Sequence, residues 1–456
     1  MTEEADVVIV GAGGGGAVLG LALAQKAIHA IVLEQAHGPP TGLRGEILQP
    51  NGQSVLDRLG VLGQLPADAV RPVRYFHFCR AGGGRLGARS RGAEPATASS
   101  GRAGDVTLGM GGSNRLCTID YGMLPPPYNR AVVTLPNAAH HAILNALARL
   151  APGALRYGAE FKGLVRDGDR MVGVEVEQAG RRFTIWAKMV VGADGALSKV
   201  RDALHIPTRL HRYPEAYLIA ILEAQDAITD ARYFVGRRTI LGVFPAAERK
   251  VYLFYMIRAD SMPQVKAAGL QSLRQHWSKI APELASTFDT LVDWKQTAYM
   301  PTGRVQTDTW VTDRAVLIGD AAHAMNPHAS QGRMQAMVDA MTLADVIPVC
   351  LETNDCSAAA LAPFEQARRP HVEMLQRLAD EQVMFWNTGN PLIGFLRDRV
   401  FRTLDRNRRL RYQVLNTTAG LRTVPPFGLA DRLIAAGLLP DLHADRLPPD
   451  AMVQAG

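Results

Sequence analysis

Apolar residues along the chain fall into short runs that end in glycine or acidic residues. The first run, Ala5 to Val10, is rich in β-branched residues, as expected of a parallel strand covered on both faces. A glycine-rich loop follows, then an apolar helix-like stretch, and then a second run that ends at Glu34. This order predicts a βαβ unit of about 30 residues. Runs at 188–193 and 315–320 end in the same way and predict further strands of the same sheet.

A different pattern occupies the middle of the chain. Residues 231–236, 239–245 and 250–257 alternate between apolar and other residues and are separated by turn-like tracts, which predicts an antiparallel meander. Tyr252, Phe254 and Met256 alternate and therefore share one face. That face is either the wall of an apolar substrate pocket or simply sheet core. From about residue 360 the pattern is helical.

Composition narrows the class of protein. The 456 residues are 47% apolar and 20% charged, which excludes a disordered chain. The four cysteines form no CxxC pair and the histidines lack metal-ligand spacing, so we expect neither a disulfide framework nor a metal site. The acidic start MTEE lacks the basic region of a signal peptide, and no long uninterrupted apolar stretch is evident. We therefore expect a cytoplasmic protein.

The glycine-rich loop carries the first chemical signal. Gly11 permits a tight turn after the strand, Gly13 lets a pyrophosphate approach the backbone, and Gly16 allows close helix packing. The helix that follows directs its positive end at the phosphates. Glu34, at the end of the second strand, is placed to accept hydrogen bonds from a ribose. An adenosine diphosphate with a free ribose fits this pattern.

Two further motifs indicate which dinucleotide is bound. Residues 192–201 (GADGALSKVR) and 319–332 (GDAAHAMNPHASQG) resemble the second and third fingerprints of the single-component, aromatic-hydroxylase-like FAD monooxygenases. The three motifs occur in the family's order, and the resemblance covers roughly residues 5 to 375. The segment GEILQP at 45–50 also looks like the corresponding segment of squalene epoxidases, which implies a lipophilic or polycyclic substrate.

The resemblance implies an α/β fold with three parts. A Rossmann-like FAD-binding domain would comprise residues 1–75, 130–205 and 300–350. An inserted antiparallel β-sheet substrate domain would comprise 76–129 and 206–299, and a C-terminal helical region would comprise 351–456.

The resemblance also assigns cofactor contacts. Arg44 matches a basic residue that commonly touches the cofactor, and Asp320 matches the residue that holds the ribityl chain. The stretch from Pro327 to Gly332 would pass beside the isoalloxazine, while Asp194 would mainly hold its own loop together. Two residues depart from the pattern, since Ser330 stands where glycine is usual and Met334 where asparagine is common.

The function implied is hydroxylation or epoxidation of an electron-rich, lipophilic aromatic molecule through a C4a-hydroperoxyflavin, with O2 and either NADPH or NADH as co-substrates. Because the flavin carries the chemistry, no catalytic acid or base is assigned. A flavin reductase or oxidase on the same scaffold, and a non-catalytic flavin- or ligand-binding protein, remain as alternatives.

A basic segment near the C-terminus adds one question about partners. Residues 395–423 contain eight arginines and two aspartates, interleaved with apolar residues at helical spacing. They predict either a docked helix with a solvated basic face or a weak contact with an anionic membrane surface. No nucleic-acid-binding motif accompanies the charge, so we expect no nucleic acid partner, and we expect a monomer or homodimer.

Overall fold

A computed structural model of the chain describes residues 3–43, 46–82, 114–247 and 249–447. The strands are β1 Glu3–Val10, β2 Ala30–Glu34, β3 Glu46–Leu48, β4 Val70–Val73, β5 Tyr75–Arg80, β6 Arg115–Asp120, β7 Ala131–Thr134, β8 Leu155–Tyr157, β9 Ala159–Asp167, β10 Arg170–Gln178, β11 Arg181–Gly192, β12 Thr208–Glu223, β13 Ala231–Gly236, β14 Thr239–Pro245, β15 Lys250–Arg258, β16 Thr297–Thr307, β17 Val311–Thr312 and β18 Ala315–Leu317. The helices are α1 Gly14–Gln25, α2 Pro50–Arg58, α3 Ala138–Leu150, α4 Lys199–Ala203, α5 Met262–Ile280, α6 Ala285–Phe288, α7 Asp320–His323, α8 Gly332–Glu352, α9 Ala358–Trp386, α10 Pro391–Arg406, α11 Arg408–Thr418 and α12 Leu429–Ala435.

The apolar runs of the sequence pair in one sheet. Its central order is β18-β11-β1-β2-β8, all parallel, and the antiparallel strand β17 lies at the outer edge beside β18. The antiparallel pair β9 and β10 extends from β11. Helix α1 packs against α3 and α8. The predicted α/β fold class is confirmed, and the central strands are apolar throughout because a parallel sheet is covered on both faces.

A second sheet of seven strands has the order β16-β12-β15-β14-β13-β5-β6. The predicted meander is its centre, β13 to β15. One pair departs from the antiparallel expectation, because β5 reaches the far side of β13 and runs parallel to it. The predicted domain boundary at residue 300 falls inside β16, which pairs with β12 along its whole length. A third, small sheet holds β3, β7 and β4.

Residues on the two faces of the seven-stranded sheet enter different cores, as a period of two requires. On β13, Tyr233 and Val235 pack towards α10 and α11, while Phe234 packs towards α5 and α6. On β15, Tyr252 and Met256 share the first of these faces. The C-terminal helices therefore cover the face of the sheet that carries the predicted pocket residues.

Most arginines of the C-terminal segment form hydrogen bonds or ion pairs within the protein. Arg397 is buried, pairs with Asp398 at 2.8 Å and donates to two backbone carbonyls. Arg409 pairs with Asp431 at 2.8 Å and with Asp441 at 2.9 Å. Arg397 thus anchors α10 to β13 and to the end of α9, and Arg409 holds α11 to α12 and the segment after it.

Helix α8 is long and apolar enough to cross a membrane by length and composition alone. However, 61% of its most apolar window is buried inside the protein. Its position between α1, α2 and α9 is that of a core helix.

Candidate active site

The glycine loop makes the turn that its sequence predicts. Gly11 has φ +99°, and a Cβ at this position would lie 2.5 Å from the carbonyl oxygen of Ala193, in the second motif. A Cβ on Gly16 would lie 1.9 Å from the carbonyl oxygen of Gly11. These two positions therefore require glycine. Gly13, by contrast, has nothing within contact distance except the same Ala193 oxygen at 4.0 Å, so the backbone is open to an approaching ligand.

Glu34 faces the same loop. One carboxylate oxygen accepts a hydrogen bond from the Ala12 amide at 3.0 Å, and the other accepts one from Ala36 at 2.9 Å. The carboxylate is thereby fixed beside the start of α1, while each oxygen keeps a lone pair for another donor. The structure places the four residues of the first motif together.

The Asp194 carboxylate stabilises its own loop through hydrogen bonds to nearby residues. Its carboxylate accepts hydrogen bonds from the Ser198 hydroxyl at 2.5 Å and from the amides of Lys199 and Val200 at 2.7 and 3.1 Å. Both amides lie in the first turn of α4, where helix amides lack internal partners. The geometry is that of a helix cap rather than of a free catalytic acid.

The region of the third motif packs directly against the glycine loop, since Ile318 and Arg333 lie beside Gly15 and Gly14. Asp320 begins α7 and is half-buried. The chain then passes through a short 3₁₀ turn at Pro327–Ala329 and enters α8 at Gly332. Ser330 has φ +54°, in the left-handed region, which explains why glycine is usual at this position.

A buried ionic network holds this region in place. Asp339, on α8, accepts hydrogen bonds from the Gly319 amide at 3.0 Å and from Arg368 at 2.8 Å, and lies 2.6 Å from His323 Nε2. Burial opposes ionisation of Asp339, but His323 and Arg368 outweigh it and lower its pKa to about 2. The network ties the Gly319–Asp320 turn to α8 and α9. Sequence reasoning missed Asp339, whose role depends on distant partners.

Three predicted cofactor residues, Asp320, Pro327 and Gly332, and two predicted substrate residues, Tyr252 and Phe254, line one cavity of about 840 Å³, counting its opening to solvent. The wall nearest the third motif contains Asp320, Pro327, Ser330, Gly332, Arg333 and Met334. The sheet contributes Tyr233, Phe244, Tyr252, Phe254 and Met300. Met256 does not belong to this wall, because it packs in the apolar core between the sheet and the C-terminal helices. Arg44 lies outside the described residues.

A charged group at the cavity was not expected from the sequence. Glu46, buried on β3, is ion-paired with Arg333, whose other Nη lies 3.1 Å from His140 Nδ1. The Arg333 side chain passes over the glycine loop, since a Cβ on Gly14 would meet its Cγ at 2.9 Å. Glu46 belongs to the GEILQP segment at 45–50, so the resemblance of that segment was the sequence signal from which this residue could have been found.

Met334 also has a structural explanation. A Cβ on Gly52, in α2, would lie 2.0 Å from its sulfur atom, so Met334 fills the space that a side chain at 52 would need. The methionine found where asparagine is common is therefore matched by the glycine opposite it.

The residues present fit FAD. The open backbone at Gly13 suits a diphosphate, the fixed carboxylate of Glu34 suits a ribose, and the cavity lined by Asp320 and Gly332 has room for a flavin. When bound, FAD supplies the redox and oxygen chemistry. The fold and the site define an FAD-dependent oxidoreductase.

The comparisons with known proteins agree. Residues 4–379 match the FAD binding domain family, and the chain belongs to that family. It is 29% identical over 380 residues to 6-methylpretetramide 4-monooxygenase from Streptomyces rimosus, with 82% of each chain covered. It is 25% identical over 415 residues to kynurenine 3-monooxygenase from Salinispora arenicola, covering 87% of this chain and 81% of the relative. The protein is an FAD-dependent monooxygenase, as the three motifs predict.

Solved structures share the fold. The p-nitrophenol 4-monooxygenase PnpA from Pseudomonas putida superposes with a TM-score of 0.75 at 19% identity, covering 92% of this chain and 100% of that one. A variant of HpxO from Klebsiella pneumoniae, complexed with FAD, superposes with a TM-score of 0.71 at 18% identity, covering 92% and 98%.

Proposed function

We propose that this monooxygenase hydroxylates an electron-rich, lipophilic aromatic molecule with fused rings. The observation that carries the proposal is the cavity whose one wall is the third motif and whose other wall is aromatic sheet residues. The relatives named 6-methylpretetramide 4-monooxygenase and kynurenine 3-monooxygenase support an aromatic substrate. The alternative reaction of the same flavin chemistry is epoxidation of such a molecule.

The residues of the site divide between cofactor and substrate. Glu34 would bind the ribose, Asp320 the ribityl chain, and the open backbone at Gly13 the diphosphate. The first amides of α8, at Gly332, would face the electron-rich side of the reduced flavin, where the helix dipole stabilises negative charge. Arg44 is proposed as a further cofactor contact.

Tyr252 and Phe254 would form the substrate wall and keep water from the reacting atoms. Phe254 stacks on Tyr217 with ring centroids 4.0 Å apart, so its ring is held rigidly. A fixed aromatic wall can orient a flat substrate, which is the main task left to a protein whose cofactor carries the chemistry.

NADPH or NADH is proposed as a transient co-substrate, since the sequence contains a single dinucleotide fingerprint.

We also propose the three-part domain division, a cytoplasmic location and a monomeric or homodimeric state. A weak contact between the basic surface of α10 and anionic membranes would help deliver a lipophilic substrate.

The test is substrate-stimulated NADPH and NADH oxidation under labelled oxygen. The panel contains phenols, quinolones, aromatic polyketides and polyprenyl quinols. Incorporation of one labelled atom into a product supports the proposal. Consumption of the reduced nicotinamide with release of hydrogen peroxide alone would identify a reductase or oxidase, and the absence of stimulated consumption would identify a binding protein.

A further inference from the structure

An ion pair lies in the wall of the cofactor cavity, between the start of α8 and strand β3. Arg333 directly follows Gly332 at the start of α8, and its guanidinium is ion-paired with the carboxylate of Glu46. Both residues line the cavity together with Gly332, Asp320 and Pro327. The pair therefore belongs to the part of the cavity that we assign to the flavin.

The pair is shielded from water. Glu46 is 6% exposed, and the side chain of Arg333 is 18% exposed. Arg333 is the only cation within ion-pair distance of Glu46 in the described part of the chain, and Glu46 Oε2 has no hydrogen-bond partner there. Charges at such a site act more strongly on a neighbouring charge than surface charges do, because less water screens them.

Two further contacts fix the position of the guanidinium. Its second Nη lies 3.1 Å from His140 Nδ1, and since a guanidinium only donates, that nitrogen is the acceptor and the ring is neutral. A Cβ on Gly14, the first residue of α1, would meet Arg333 Cγ at 2.9 Å and Nε at 3.2 Å. The positive charge is thus held where the starts of α1 and α8 approach each other.

The two charges of the pair cancel each other. Without Glu46, the Arg333 guanidinium would add a full positive charge to the positive end of α8. The reduced flavin is negatively charged on the side that α8 would face, whereas the oxidised flavin is neutral. A unit charge at this place therefore changes the binding of one redox state more than that of the other.

We propose that Glu46 keeps the reduction potential of the bound flavin low by cancelling the charge of Arg333. This inference rests on the proposed function, which places the flavin against the start of α8. Glu46 is then a positioning residue, because it acts on the cofactor through Arg333.

The experiment measures the midpoint potential of the FAD-loaded protein by anaerobic reductive titration against a dye of known potential, without nicotinamide. Glu46→Gln keeps the shape of the side chain but leaves the guanidinium without a counter-charge. We expect reduced FAD to bind about tenfold more tightly relative to oxidised FAD, which raises the potential by about 30 mV for a two-electron couple.

The partner variant should give the opposite sign. Arg333→Gln leaves the carboxylate without a counter-charge and should favour oxidised FAD by a similar factor, measured at pH 8 so that the carboxyl stays ionised. The double variant Glu46→Gln with Arg333→Gln carries neither charge. Its ratio of reduced to oxidised affinity should lie within twofold of that of the unmodified protein.

Two controls separate charge from packing. Arg333→Lys keeps the positive charge, and Asp345→Asn removes a carboxylate from the exposed face of the same helix; both should leave the ratio within twofold. The affinity for oxidised FAD and the thermal midpoint are measured for every variant. If Arg333→Gln does not fold, Glu46→Gln and the double variant still decide the result.

Four results would overturn the inference. They are an unchanged potential in folded Glu46→Gln, shifts of the same sign in the two single variants, a double variant shifted as far as Glu46→Gln, and a loss of oxidised-FAD binding in Glu46→Gln. None of these measurements involves oxygen insertion. A protein that shows the two opposite shifts but inserts no labelled oxygen would contradict the proposed function instead, so the two failures are distinguishable.

Discussion

Single residues decide whether the site binds its cofactor, and Asp320 offers the most direct test. It is half-buried at the edge of the cofactor cavity and begins a helix. If it holds the ribityl chain, Asp320→Ala removes a hydrogen-bonding partner and should weaken FAD binding by about 1–3 kcal/mol, or roughly 5- to 150-fold. Titration of the apoprotein with FAD measures this. Asp308→Ala, a change at an exposed aspartate, is the control; equal affinities in both variants would contradict the assignment.

Gly52 and Met334 test the packing at residue scale. Gly52→Ala should lower the free energy of unfolding by about 1–3 kcal/mol, because the added Cβ meets the Met334 sulfur. Met334→Ala in the same chain should relieve that loss, so the two effects are not additive. Gly63→Ala, which has open space around it, is the matched control. Additive effects in urea unfolding would show that the two residues do not compete for space.

At the scale of elements, Asp339 joins α7, α8 and α9. Asp339→Ala leaves Arg368 and His323 buried without their shared carboxylate, so we expect a loss of about 3–5 kcal/mol in the free energy of unfolding. Asp345→Ala, an exposed aspartate on the same helix, should cost less than about 1 kcal/mol. Urea denaturation compares the two variants, and similar losses would show that the network carries little stability.

The elements also show what the sequence can reveal. The unit β1–α1–β2 is predicted correctly because its strand pattern, glycines and Glu34 lie within about 30 residues and act locally. The parallel pairing of β5 with β13, the Asp339 network and the ion pair of Glu46 with Arg333 all join residues far apart in the chain. No local pattern marks such partners, so they became visible only in the folded structure. Tyr252 and Phe254, whose alternation predicts a shared face, both line the cavity, whereas Met256 packs in the apolar core, because a strand face extends beyond the cavity.

For the whole molecule, buried histidines make stability depend on pH. Burial lowers the pKa of His328 to about 3 and that of His371 to about 4. Below pH 6.5 the unfolded chain binds protons that the folded chain does not, so stability falls as pH decreases from 6.5 towards 4, by about 1.4 kcal/mol per pH unit for each histidine. The lowered pKa of Asp339, about 2 against 3.8, adds stability that is fully present above about pH 4 and is lost only as the pH falls below that value.

Urea unfolding at pH 6.5, 5.5 and 4.5 measures this slope. His328→Phe should reduce it by roughly half, since His328 and His371 are the two histidines of the described residues whose pKa burial lowers most. A stability that stays constant between pH 6.5 and 4.5 would show that neither ring is kept neutral by the fold.

The surface of α10 provides the last prediction at this scale. Leu392, Phe395, Arg399, Arg402 and Arg406 are exposed and recur three or four residues apart, so they form one stripe along the helix. Its first half is apolar, with Leu392 78% and Phe395 66% exposed, and its second half is basic. An amphiphilic stripe of this kind can lie on an anionic lipid surface.

The expected strength of this contact follows from the charges that remain available. Arg399 already donates to two backbone carbonyls near α12, which leaves mainly Arg402 and Arg406, at about 1 kcal/mol each near an anionic surface. We therefore expect sedimentation with phosphatidylserine-containing vesicles at low salt, little at physiological salt, and none with neutral vesicles. The double change Arg402→Glu and Arg406→Glu should abolish it, whereas Arg209→Glu with Arg212→Glu, at the exposed start of strand β12, should not. Absence of binding even at low salt would leave the stripe as a solvated face of a docked helix.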